Sequence, residues 1–154
     1  MSTIEQGVKV PAFTAESTQG TINSQDLIGQ PFVLYFYPRD NTPGCTNQAN
    51  DFQAKLAEFD KLGVKIIGAS RDSMSSHERF ADKFDLTFAL LSDPEETVCN
   101  LFDVIKDKNM YGRKVRGIER STFLFNAAGE LVQEWRKVRV PGHVDAVFEA
   151  CQNL

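Results

Sequence analysis

Cysteine is scarce in this chain. Three occur in 154 residues, at positions 45, 99 and 151. That is too few, and an odd number, for a disulfide scaffold. None forms a Cys-x-x-Cys pair, which excludes dithiol exchange within one motif. Histidine is scarcer still: His77 and His143 stand far apart with no ligand spacing around them, so no metal site is expected. The longest apolar runs are strand-sized, so no segment is expected to span a membrane. Met1–Gln6 has no basic region followed by an apolar stretch, so no leader is expected and a reducing cytoplasm is the natural compartment. Positive charge is not in excess either. The net charge of −4 argues against nucleic acid or an anionic membrane surface as a partner. Gly112-x-x-x-x-Gly117 lacks the lysine of a phosphate loop, and no cofactor is expected. With no repeat, linker or low-complexity tract, residues 1–154 read as one domain with enough chain to bury a core.

Residues 1–30 read as an N-terminal extension of short strands, with a turn near Gln19-Gly20. Residues 32–37, Phe-Val-Leu-Tyr-Phe-Tyr, are apolar on both faces and predict a buried strand. From Cys45 on, Cys45, Ala49, Phe52, Leu56 and Phe59 recur at helical steps with Gln48, Asp51, Lys55 and Glu58 between them. That pattern predicts one long helix ending at Gly63. A strand over 64–70, a helix opened by a Ser75-x-x-Glu78 capping box and a short strand over 88–91 follow. Asp93-Pro94-Glu95-Glu96 predicts the start of another helix. Residues 106–119 read as a polar loop, 121–125 and 131–135 as a hairpin, and 143–153 as a last helix. This order predicts an α/β fold, a central mixed β-sheet with helices on both faces.

The residue of most chemical interest is Cys45. A buried strand ends in the proline-punctuated loop Pro38-Arg39-Asp40-Asn41-Thr42-Pro43-Gly44, and the loop delivers the thiol to the first turn of a helix. The unpaired N–H groups and partial positive charge of that turn favour a thiolate. A small buried hydrophobe is the other reading of the same residue, and the pattern by itself leaves both open.

Pro38-x-x-x-Thr42-x-x-Cys45 resembles the active-site signature of the peroxiredoxins. The fuller string Tyr35-Phe36-Tyr37-Pro38-Arg39-Asp40-Asn41-Thr42-Pro43-Gly44-Cys45-Thr46 is similar to the bacterioferritin-comigratory-protein, or PrxQ, branch. Gly68–Ser73, Leu91–Asp93 and Gly117–Leu124 also fall where that branch has similar strings. The resemblance implies a thioredoxin-like fold and thiol-dependent reduction of hydrogen peroxide and organic hydroperoxides. It carries over four residues: Cys45 as the attacking thiolate, Arg120 as the fixed charge beside it, Thr42 as a hydrogen-bonding hydroxyl for thiolate and peroxide, and Pro38 as a shaper of the pocket. It further suggests a monomer or weak dimer.

The two positions where that branch carries a resolving cysteine are Asn50 and Ala81 here. Cys99 and Cys151 fall on or beside apolar helical stripes and read as structural. The expectation is a one-cysteine mechanism, with the Cys45 sulfenic acid reduced by glutathione, a glutaredoxin, lipoamide or thioredoxin. Two alternatives stand beside it: a two-cysteine peroxidase using Cys99 or Cys151, and a slow redox sensor whose partner binding changes on oxidation. His77 is expected to be solvated. Trp135 is expected to be half-buried. The Arg113–Arg116 stretch with Arg120, and Arg136, Lys137 and Arg139, are expected on the solvated surface, the former as a possible attractor of an anionic thiol.

Overall fold

Strand β3, Phe32–Phe36, runs through the middle of a seven-stranded mixed sheet and is buried along its whole length. The computed structural model describes residues 5–154, the side chain of Met110 apart. Residues 1–4, where the extension begins and a leader would lie, fall outside the described residues. Parallel pairing joins β3 to β4 (Lys65–Ser70) and β4 to β5 (Ala89–Ser92). Antiparallel pairing adds β8 (Ser121–Phe125) and β9 (Leu131–Trp135) on one side, and β1 (Thr14–Ser17) and β2 (Gly20–Asn23) on the other. The sheet order is β2-β1-β5-β4-β3-β8-β9. The expected α/β class, mixed sheet and N-terminal strand extension are all present.

The period of two in β3 divides the core. Phe32, Leu34 and Phe36 face one cluster, with Phe102, Phe123 and Cys99. Val33, Tyr35 and Tyr37 face the other, with Cys45, Phe52 and Cys151. Helices α1 (Pro43–Ala54), α2 (Leu56–Lys61), α3 (Met74–Phe84) and α5 (His143–Gln152) contribute to the second cluster, and the short α4 (Thr97–Leu101) to the first. Tyr35 lies flat on Gly68, its cross-strand neighbour: a Cβ there would stand 2.9 Å from Tyr35 Cζ.

Several local expectations are corrected. The single helix from Cys45 to Gly63 is two helices, broken at Lys55 (φ −103°, ψ 4°), whose N–H donates back three residues to Phe52 O. Neither glycine nor proline marks that break. Ser73, not Ser75, caps α3, its hydroxyl accepting from Ser76 N. His77 is fully buried rather than solvated. The helix expected at Asp93 begins at Thr97, and the Asp93 carboxylate accepts from Val98 N at 3.1 Å and Cys99 N at 2.7 Å. Residues expected to form a loop make an antiparallel ribbon, β6 (Ile105–Met110) with β7 (Arg113–Ile118). It turns at Tyr111 (φ 54°) and Gly112 (φ 77°), the left-handed pair of a tight hairpin. Arg136 donates to Phe102 O and Asp103 O, covering the end of α4, instead of lying free in solvent. Trp135 is half-buried as expected.

Candidate active site

The loop after β3 ends in a compact helix start. Thr42 is the N-cap, Pro43 takes the first helical position where its missing N–H costs nothing, and Gly44 and Cys45 follow. The amides of Gly44 and Cys45 have no carbonyl partner within the helix and face the site with the partial positive charge of its end. Cys45 is only 2% exposed.

Arg120, in the short link between β7 and β8, reaches across to this turn. Its Nη2 lies 3.4 Å from Cys45 Sγ, and its Nη1 donates to Gln48 Oε1 at 2.7 Å. Gln48 is fully buried, one turn after Cys45 on the same helical face. It was expected on the polar face of the helix. Its three-residue spacing from Cys45 is the signal that could have placed it in the site. Gly44 makes the approach of the guanidinium possible: a Cβ there would press to 3.2 Å from Arg120 Nη2.

Cys45 and Arg120 therefore meet, while Pro38 and Thr42 sit at the edge of an adjoining cavity of about 360 Å³. The Thr42 hydroxyl donates to Arg39 O at 2.9 Å, and its lone pairs stay free to accept. The expected resolving positions lie on the helices, Asn50 exposed on α1 and Ala81 half-buried on α3. Cys99 and Cys151 are buried and unpaired, as expected of structural residues. Burial and the hydrogen bond with Asp93 push the Cys99 thiol well above its ordinary range, and burial pushes Cys151 up to about 12. Cys99 belongs to the opposite face of the sheet from Cys45, and Cys151 to the same face.

A second polar cluster supports the loop, and the sequence did not reveal it. The Asp40 carboxylate accepts from Tyr37 OH at 2.6 Å and Ser76 Oγ at 2.9 Å, and pairs with His77 Nδ1 at 2.7 Å. His77 Nε2 lies 3.0 Å from Leu91 O, a pure acceptor, so that nitrogen donates. His77 Nδ1 and Asp40 then hold a single proton between them. Asp72 accepts from Asp40 N at 3.0 Å and from Ser70 Oγ. Asp40, Asp72 and His77 bring three ligand-type atoms within 4.8 Å of one another. These atoms are already engaged by internal donors, which describes a structural anchor better than a metal centre.

His143, at the start of α5, takes a hydrogen bond with Thr122 Oγ1 at 2.8 Å. Burial, and then the charge of Arg120, lower its pKa to about 4, so it stays neutral at pH 7. Tyr35 has a buried hydroxyl without a hydrogen-bond partner among the described residues. Burial, then the charges of Cys45 and Asp40, push its ionisation well above the ordinary range.

Residues 6–134 match the AhpC/TSA family. The chain is 53% identical over 141 residues to peroxiredoxin Bcp of Xanthomonas campestris, covering 92% of this chain and 87% of that one. It is 43% identical over 153 residues to peroxiredoxin Bcp of Bacillus subtilis, covering 99% and 98%. A solved structure of the Xanthomonas campestris bacterioferritin comigratory protein, studied for alkyl peroxide reduction, superposes with a TM-score of 0.90 at 47% identity, covering 97% and 98%. A mutant of Xylella fastidiosa PrxQ superposes with a TM-score of 0.93 at 37% identity, covering 99% and 98%.

Proposed function

The chain belongs to the AhpC/TSA family, among the peroxiredoxins of the Bcp (PrxQ) branch, which are thiol-dependent peroxidases, and from this premise we propose that it works by a one-cysteine mechanism centred on Cys45. The observation that carries the reading is the 3.4 Å approach of Arg120 Nη2 to Cys45 Sγ at a helix start.

The Cys45 thiolate attacks the distal oxygen of a hydroperoxide. The O–O bond breaks, an S–O bond forms, and the leaving oxygen departs as water or alcohol after taking a proton. Sulfur is oxidised to the sulfenic acid and the peroxide is reduced. Arg120 compensates negative charge first on sulfur and then on the leaving oxygen, and the free amides of Gly44 and Cys45 assist. Gln48 holds the guanidinium in place. Thr42 orients the peroxide, and Pro38 and Pro43 shape the pocket and limit water.

An external thiol then attacks the sulfenic sulfur, releasing water and leaving a mixed disulfide. A second thiol frees Cys45 and leaves as the oxidised disulfide. Exposed Asn50 and half-buried Ala81, standing where relatives would carry a resolving cysteine, support this route. The substrates are hydrogen peroxide and organic hydroperoxides, and the reductant is glutathione with a glutaredoxin, lipoamide or thioredoxin. The protein acts in the cytoplasm as one domain, a monomer or weak dimer. No described helix is long and apolar enough to cross a membrane. One observation favours a second reading: Cys151 shares its face of the core with Cys45, so it is the better placed of the two remaining cysteines for a resolving role.

The test is intact-mass analysis after one equivalent of hydrogen peroxide, with and without dimedone. A dimedone adduct on Cys45 is expected. Loss of two hydrogens with no adduct would replace the one-cysteine route by an internal disulfide, and unmodified Cys45 would remove the peroxidase assignment from this residue.

A further inference from the structure

The cavity beside the Cys45 turn has Pro38 and Thr42 at its inner edge, and its apolar wall is made by Val115 and Ile118 of the ribbon. Every titratable side chain lining it among the described residues is a cation: Arg39, Arg71, Lys108 and Arg116. Of the stretch expected to attract an anionic thiol, Val115 and Arg116 line the cavity, while Arg113 and Lys114 are exposed near the ribbon turn and do not.

These cations retain unused donors. Glu96 receives Arg71 Nη1 at 2.9 Å and pairs with Arg116, but Arg71 Nη2 points elsewhere. Arg71 Nη2 and Lys108 Nζ converge beside Gly117, 3.6 and 3.9 Å from where a Cβ would stand. Arg71 Nε is buried without a hydrogen-bond partner among the described residues. Lys108 donates one of its three N–H groups to Ile118 O. The exposed Arg39 guanidinium has no carboxylate partner among the described residues. Asp107 and Glu119 lie near enough to act on Arg116 and Lys108 but do not line the cavity. Burial, and then the charge of Arg120, push the Lys108 ammonium downward, as expected where positive charge is under-compensated. A planar carboxylate matches the guanidinium fork, and the half-apolar wall suits a short organic body behind it.

We propose that this cavity holds the carboxylate of a small organic reactant whose reacting group, a hydroperoxide or a thiol, reaches Cys45 past Thr42 and Pro38. The inference rests on the peroxidase reading. A carboxylated hydroperoxide would use the cavity in the oxidation of Cys45, and a carboxylated thiol in the reduction of its sulfenic acid.

The experiment compares matched acids and esters on the intact chain by quenched-flow mass spectrometry. One arm follows Cys45 oxidation by 4-hydroperoxy-4-methylpentanoate and by its methyl ester. The other follows reduction of preformed sulfenic acid by 3-mercaptopropionate and by its methyl ester. In at least one arm the acid is expected to react roughly tenfold faster at low ionic strength, with the preference shrinking toward parity near 1 M salt. The arm that discriminates identifies the source of the carboxylate. Arg39→Ala combined with Lys108→Gln is expected to lower the acid-to-ester ratio. The salt series on the unsubstituted protein decides the question if that variant does not fold. Equal rates for acid and ester in both arms, or a preference indifferent to salt, overturn the inference. Should no sulfenic acid persist, the hydroperoxide arm decides alone. Hydrogen peroxide separates the two failures: if it leaves Cys45 unoxidised, the peroxidase reading falls and the cavity inference with it. If it oxidises Cys45 while acid and ester react alike, only the cavity inference falls.

Discussion

Replacing His77 by leucine tests the anchor beneath the active-site loop. His77 is fully buried, and the side chain of Asp40 is 3% exposed. Asp40 accepts from Tyr37 and Ser76 and pairs with His77 Nδ1, and His77 bridges onward to Leu91 O on β5. Leucine fills much of the volume but removes the hydrogen-bond partner at 2.7 Å from a nearly buried carboxyl, and strips the Leu91 carbonyl of a donor. Leaving a buried hydrogen-bonding group without its partner costs about 1–3 kcal/mol. In a domain of this size each kcal/mol lowers Tm by roughly 2–4 °C, so a fall of about 2–12 °C is expected. Thermal unfolding at pH 7 followed by circular dichroism measures it, and urea unfolding gives the free energy. Asp40→Asn added to His77→Leu removes the carboxyl left without its partner and is expected to recover part of the loss, so the two substitutions are non-additive. A loss below about 0.5 kcal/mol for His77→Leu, the size of an ordinary surface substitution, would refute the buried pair.

Gly44→Ala is expected to slow Cys45 oxidation by roughly tenfold, because the new Cβ displaces Arg120 Nη2 from its place beside the sulfur. The same change leaves stability level or raises it by up to about 1 kcal/mol, since alanine suits a helix better, and stopped-flow peroxide kinetics beside urea titration separate the two effects. Gly68→Ala is expected to cost about 1–3 kcal/mol through overpacking against Tyr35, with a lower urea midpoint as the readout. Acid sensitivity has two sources. The guanidinium groups of Arg116 and Arg71 hold Glu96 at about 2, so its contribution is full above the ordinary carboxylate range and is lost as pH falls from about 4.5 toward 2. His143, held at about 4, takes up a proton in the unfolded chain first, so stability also falls as pH drops from about 6.5 to 4. His143→Gln is expected to flatten the pH dependence of stability in that upper window, and Arg116→Ala in the lower one.

The parts of the fold that were legible in the sequence are those whose causes are local. The unbroken apolar run at 32–37 can only be a buried strand. Pro43 and Gly44 before Cys45 mark a helix start, and Asn126 to Gly129 mark the turn between β8 and β9. What was missed depends on partners distant in the chain. His77 and Asp40 are 37 positions apart and Gln48 and Arg120 are 72, so no local pattern says that these residues are paired, although the three-residue step from Cys45 is a local sign that Gln48 faces the site. The ribbon was missed because its strands are mostly polar and half-exposed, and Tyr111-Gly112 is not among the dipeptides that signal a hairpin. Asp93 caps α4 as a capping residue should, but from further upstream, with Pro94 and Glu95 in an intervening turn. Cys45, the candidate catalytic cysteine, was legible through a motif. Its electrostatic setting required the fold.

Arg120 enters the chain 75 residues after Cys45. On the ribosome the thiol is therefore made, and its helix can form, well before the guanidinium that completes its surroundings exists. A nascent or truncated chain carries a cysteine without its cationic partner, and β8 must dock against β3 before the two meet. With Cys45 and Arg120 in the roles proposed above, peroxide reactivity is a late property of biosynthesis. Incomplete chains, which lack a finished core around Cys99, would then not yet carry an activated Cys45.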